Sequence, residues 1–139
     1  MKSVKVSIPW LLLIAIVAVT ALPPAKKAEV RRNIRQCSAE ADVLTRDSIK
    51  VLKGDFKNNG ENMKQFVVCM FRKIEFLGDD DEFDDDIIRE KLSENIDEDE
   101  VSTLMDKCAI TKDKLTDTCW ERFKCFFKNH KVPSDMMDF

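Results

Sequence analysis

Glycine is scarce in this chain: there are three in 139 residues, Gly54, Gly60 and Gly78. No segment sustains the every-second-residue alternation of a half-buried strand, so β-rich architectures are not expected. There is one histidine, His130, close to the C-terminus, and no Cys-x-x-Cys pair. A tetrahedral zinc site with paired Cys/His ligands is therefore unsupported. A Cys–His nucleophile would need His130 to reach back to Cys119, and no histidine lies on a central helix as a phospholipase would require. Enzyme activity is not expected, and no cofactor is implied. The chain lacks Asn-x-Ser/Thr, which removes N-glycosylation. After residue 19, no stretch is apolar for the ~18–20 residues that a membrane span needs.

The first 21 residues have a different character. Lys2 and Lys5 form a positive leading segment, and Trp10 to Val19 is an apolar run of the length found in secretion signals. Val19, Thr20 and Ala21 present small or permissive residues at a cleavage site, so residues 1–21 read as a signal peptide. Residues 22–139 then form one domain, secreted into a compartment where disulfides persist. Without Lys2 and Lys5 the remaining chain has 21 basic and 26 acidic residues, a formal charge of −5. That balance argues against nucleic acid or an anionic membrane as partner.

Apolar residues recur at helical spacing along the whole domain. Val30, Ile34, Cys37, Ala41 and Leu44 predict a first helix from about Ala25 to Leu44. Thr45 or Asp47 is the expected cap of a short second helix with Ile49 and Leu52, ending at Gly54. Phe56 follows as a core plug, and Asn58-Asn59-Gly60 is a turn. Met63, Phe66, Val67, Met70, Phe71, Ile74 and Leu77 give the broadest apolar face, on a third helix ending near Gly78. Ile87, Ile88 and Leu92 mark a fourth helix. Val101, Leu104, Met105 and Cys108 mark a fifth, with acidic Asp97 to Glu100 at its start. Leu115, Cys119, Phe123, Phe126 and Phe127 belong to a sixth, from about Asp113 to Lys128. The acidic run Asp79 to Asp86 lacks the D-x-D-x-D-G spacing of a calcium loop and reads as a solvated link that charges the start of helix four.

Five cysteines fall on these helices: Cys37, Cys69, Cys108, Cys119 and Cys125. Four of five can be paired in fifteen ways, and spacing alone does not choose. Cys119 and Cys125, six apart on one helix, are separated by about 9 Å along its axis and are beyond disulfide reach.

Six short helices with cysteines on the first, third, fifth and sixth resemble the insect odorant-binding proteins, the pheromone and general odorant-binding family. Members usually carry six cysteines, three residues separating the second from the third and eight the fifth from the sixth. Here Cys37, Cys69, Cys108 and Cys125 match the first, third, fourth and sixth. Gln65 and Thr116 occupy the second and fifth positions, the paired absence of the family's "minus-C" branch. Thr45 to Phe56 is similar to the family's second helix with its Gly-x-Phe ending, and Leu77 to Phe83 to its link into helix four. The resemblance implies an all-α domain around an internal apolar cavity, with bridges Cys37–Cys69 and Cys108–Cys125. Cys119 is then left over: a small buried apolar residue, a partner in a dimer, or half of an alternative bridge.

The resemblance also implies a secreted carrier that solubilises small hydrophobic ligands such as odorants or pheromones. Its further partners would be an olfactory receptor or a second copy in a weak homodimer. The side chains assigned to the pocket wall are Phe66, Met70 and Ile74 on helix three, and Ile88 and Leu92 on helix four. Leu104 and Met105 on helix five complete it with Leu115, Cys119 and Phe123 on helix six. Methionine adapts its shape to different ligands. Periodic apolar residues by themselves describe only a core, so the competing reading is a secreted helical interaction protein acting through its surface. His130 is a candidate pH-sensitive group, and the apolar tail from Val132 to Phe139 a candidate cover for the pocket mouth.

Overall fold

The computed structural model describes residues 24–129. The signal segment 1–21, His130 and the tail from Val132 to Phe139 lie outside them. Six helices make up the described residues: α1 Pro24–Ala41, α2 Thr45–Leu52, α3 Glu61–Lys73, α4 Asp85–Leu92, α5 Glu98–Lys107 and α6 Leu115–Asn129. The all-α reading holds. The described non-helical pairing is a single antiparallel bridge between Leu77 and Phe83, which folds the acidic link back before α4.

Where helices end is set by backbone geometry more than by glycine. The first helix stops at Ala41, not near Leu44, because Asp42 turns to φ 58°. Its N–H donates to the Ala39 carbonyl and that of Val43 to the Ser38 carbonyl, the two bonds of a Schellman motif. The third helix stops at Lys73, short of the expected Gly78, because Glu75 turns to φ 66°. Glu75 N–H donates to Arg72 O and Phe76 N–H to Phe71 O, the same motif. Its usual apolar contact is present too, with the Phe71 and Phe76 rings 6.0 Å apart. Only α2 uses glycine at this position: Gly54 at φ 102° bonds Val51 O, and Asp55 N–H bonds Lys50 O. Left-handed positions filled by acidic side chains, at the ends of α1 and α3 and at Asp81 in the link before α4, explain how so few glycines suffice.

Helix starts differ from expectation at α2. Leu44 is the N-cap, with no capping side chain, and its carbonyl accepts from the amides of Asp47 and Ser48. Thr45 and Asp47 lie inside the first turn. At α4 the Asp84 side chain caps the amide of Ile87 at 3.2 Å. At α5, Glu98, Asp99 and Glu100 fill the first turn, where negative charge favours the helix dipole. The sixth helix begins at Leu115 and runs to Asn129, one to two residues from its expected ends.

The main core joins α1, α2, α3 and α6 through Ile34, Val51, Met63, Phe66, Phe71 and Trp120, with Ile88 added from α4. A smaller cluster of Ile96, Val101, Leu104 and Cys108 seats α5. Cys37–Cys69 ties α1 to α3, and Cys108–Cys125 ties the end of α5 to α6. On the loop-closure model each bridge contributes roughly 3–4 kcal/mol by restricting the unfolded chain. Buried Ser38 and Ser48 bond each other at 2.8 Å, so the α1–α2 contact carries no unpartnered hydroxyl there. Phe56 is the plug expected of it. It meets Trp120, Phe123 and Phe127 edge-on, each at 5.8 Å between ring centres.

Candidate functional site: a groove between helices four, five and six

Helical spacing puts Leu115, Cys119, Arg122 and Phe126 on one face of α6, because successive residues three or four apart lie above one another. Cys119 faces fully into the core. The other three border an open groove of about 570 Å³ whose opposite walls are α4 and α5. Its apolar floor is Phe83, Ile88, Met105, Leu115 and Phe126. Ile88 is buried and the rest are half-buried.

The walls are fastened by polar bonds. Arg89 on α4 donates to the Ser102 hydroxyl on α5 at 2.9 Å. Cys108–Cys125 holds α5 against α6 on the same side. The Thr118 hydroxyl accepts from Lys112 N–H at 2.8 Å and donates back to the Lys112 carbonyl at 3.2 Å, which fixes the loop entering α6. Lys91 reaches from α4 to the Ile74 carbonyl at 2.7 Å and satisfies the end of α3.

Arg122 occupies the centre of this arrangement. Its Nε donates to the Ile110 carbonyl at 2.7 Å, and its guanidinium carbon lies 4.0 Å from the centre of the Phe83 ring. Burial pulls its pKa down from the ordinary arginine value, with Asp85 opposing. Behind it, burial pushes the Cys119 thiol up to about 12, with Arg122 acting in the opposite direction. Cys119 is thus free and protonated at neutral pH, the small buried apolar residue among the readings given to it. The other four cysteines pair as the resemblance implied.

Of the ten side chains assigned to a pocket wall, Ile88, Met105 and Leu115 border this groove. Leu104 borders a second one of about 460 Å³ between α5 and the end of α6, where Asp99, Glu100, Thr103 and Lys107 dominate. Phe66 and Cys119 are fully buried, while Met70, Ile74, Leu92 and Phe123 are half-buried against the main core. Sequence reasoning passed over three groove residues: Phe83, Arg122 and Phe126. Two signals pointed to them. Phe83 interrupts an acidic run, and the stripe Leu115, Cys119, Arg122 and Phe126 places one cation within an apolar face.

Among the described residues no group of three or more His, Cys, Asp or Glu side chains is arranged to hold a metal ion. No described helix is long and apolar enough to cross a membrane.

A model of the PBP/GOBP family matches residues 20–129 of this chain. The chain is 32% identical over 119 residues to the B1 protein of Tenebrio molitor, covering 84% of this chain and 90% of that protein. It is 30% identical over 118 residues to the B2 protein of the same beetle, covering 84% and 91%. Similarity to the general odorant-binding protein 56a of Drosophila melanogaster is 30% over 106 residues, 76% of each chain. Among solved structures, it resembles a fatty acid binding protein, OBP56a, from the oral disk of the blowfly Phormia regina. That match has a TM-score of 0.65 at 31% identity and covers 78% of this chain and 94% of that one.

Proposed function

Because the chain belongs to the PBP/GOBP family of insect odorant-binding proteins, we propose that it is a secreted, non-enzymatic carrier. It would bind a small hydrophobic molecule, an odorant, pheromone or fatty acid, and hold it in aqueous fluid. The observation that carries this reading is an open groove with an apolar floor, set between helices that are fastened by a disulfide and by polar bonds. The name of the blowfly protein, a fatty acid binding protein with the same fold, supports an apolar ligand.

The ligand would enter over Ile88, Met105 and Leu115. The deeper assigned side chains, Phe66, Met70, Ile74, Leu92, Leu104, Cys119 and Phe123, would repack around it, the flexible methionines most readily. Burying ~300 Å² of aliphatic ligand contributes roughly 7–8 kcal/mol at ~25 cal/mol per Å². Immobilising the ligand opposes this, so micromolar affinity is the expected ceiling for apolar contact alone.

Titration with a fluorescent apolar probe, followed by displacement with volatile alcohols, esters and fatty acids, tests the proposal. Saturable micromolar uptake is expected. A protein with intact helical circular dichroism that takes up no apolar probe would instead be one that acts through its surface. Secretion is checked separately: a product exported from insect cells should begin at Leu22.

A further inference from the structure

The groove holds a cation, Arg122, on which Asp85 acts electrostatically without forming an ion pair with it. Among the described residues no carboxylate lies within ion-pair distance of Arg122. Its Nε is used by the Ile110 carbonyl, and no described acceptor takes its terminal Nη hydrogens. The aromatic face of Phe83 holds the guanidinium plane from one side. An arginine so placed is already ordered, and its planar fork matches a carboxylate in two parallel hydrogen bonds.

The surrounding charges largely offset one another, with Asp85 the carboxylate that an incoming anion would compete with. Asp81, at the rim, is taken by Arg72. Three acidic groups remain along the groove, Glu82, Asp85 and Asp106, against three basic ones, Arg89, Lys112 and Arg122. The lining is balanced in formal charge, so local contact decides. Arg122 is the cation that stands beside the apolar floor, and partial burial strengthens its interactions relative to those of surface lysines.

We infer that Arg122 is a carboxylate anchor, and that the preferred ligand is an aliphatic carboxylate. Its acid group would sit on the Nη edge of Arg122, and its chain would lie along Ile88, Met105, Leu115 and Phe126. This rests on the carrier reading and narrows it: neutral odorants of equal chain length become the weaker class.

The test compares a long-chain fatty acid with its methyl ester as competitors for a bound fluorescent apolar probe at pH 7. Wild-type protein should favour the acid at least ~tenfold, the scale of one charge-assisted bidentate contact. The R122Q variant should lose that preference whatever its own affinity for the probe, which is measured first so that the acid-to-ester ratio is read relative to it. R122K, which keeps the charge but not the fork, should retain only part of the preference. The acid-to-ester ratio is the readout, because loosening of the fold would lower both competitors together. If wild-type protein binds the probe but acid and ester displace it equally, or if R122Q keeps the full ratio, the anchor is wrong while the carrier reading survives. If the wild type binds no probe, the carrier reading fails and takes the anchor with it. Should R122Q fold poorly, the wild-type ratio and R122K still decide.

Discussion

Lys64 on α3 and Asp117 on α6 form an ion pair at 2.7 Å, one residue away from Gln65 and Thr116. By the family resemblance, those neighbours stand where six-cysteine members would carry the second and fifth cysteines. Here an ion pair joins α3 to α6 at that place, while Phe56, in the link before α3, packs on Trp120, Phe123 and Phe127 of α6. Thr116 itself is buried, and its hydroxyl has no hydrogen-bond partner among the described residues.

The pair makes the α3–α6 junction sensitive to pH in a defined direction. The hydrogen bond from Lys64 holds the Asp117 carboxyl below the usual carboxylate range. Its contribution to stability is therefore present above the unfolded value of about 3.9 and is lost as pH falls through the lower folded value. The same bond raises the Lys64 pKa, so that its share is present below about 10.4 and lost as pH rises through the folded value. A double-mutant cycle with K64M and D117N, followed by urea unfolding, should give favourable coupling at pH 7. That coupling should disappear at strongly acidic pH, and a cycle flat across the acid range would contradict this account.

Restoring the missing staple should be feasible. The double variant Gln65→Cys with Thr116→Cys is expected to form a third disulfide and to stabilise the fold by about 2–4 kcal/mol. It also removes the unpartnered Thr116 hydroxyl. Thiol titration of the unfolded oxidised protein should find one free thiol, from Cys119. Three free thiols would mean that the two helices do not face each other at these positions.

Glu75 holds a left-handed backbone conformation at φ 66° with an exposed side chain. Replacing Glu75 with Gly relieves the strain at the α3 terminus but gives the unfolded chain more freedom. A net gain of about 0.5–1 kcal/mol is expected in chemical denaturation. A loss would show that the side chain contributes a contact the fold needs.

Gly54 is the opposite case. A Cβ there would sit 2.5 Å from the Phe127 ring, and the backbone is at φ 102°. Gly54→Ala should cost about 2 kcal/mol or more from backbone strain and overpacking together. The damage should appear in the near-ultraviolet circular dichroism of the Phe56 and Trp120 cluster.

Cys119 should behave as an inert thiol. With its pKa near 12, almost no thiolate exists at pH 8. Alkylation by iodoacetamide in native buffer should proceed at the rate of unfolding, and be complete within minutes in denaturant. Rapid labelling of the folded protein would contradict the burial of this side chain. Protection that strengthens with a bound fatty acid would link the α6 core to ligand.

Much of this architecture was legible in the residue pattern. The number of helices, their apolar faces and the helix that carries each cysteine follow from 3.6-residue periodicity, which is a local property. Phe56 as a plug was legible for a similar reason, since a lone aromatic after a Gly-containing helix end has few other places to go. The disulfide pairing and the status of Cys119 came from resemblance to a family, because spacing left fifteen pairings open.

Tertiary structure alone decided where helices end and which polar side chains meet. Glu75 carries no local sign of left-handed backbone, and Asp42 only the weak tolerance of aspartate for it. They adopt it because the packing of Val43 and Phe76 rewards a Schellman turn there more than the backbone strain opposes it. Lys64 and Asp117 are 53 residues apart, and no period within one helix relates them. Arg122 in the sequence is one charged residue on an amphipathic helix, indistinguishable from one facing solvent. Only the placement of α6 against α4 and α5 turns it inward over Phe83, beside an apolar floor contributed by four separate segments.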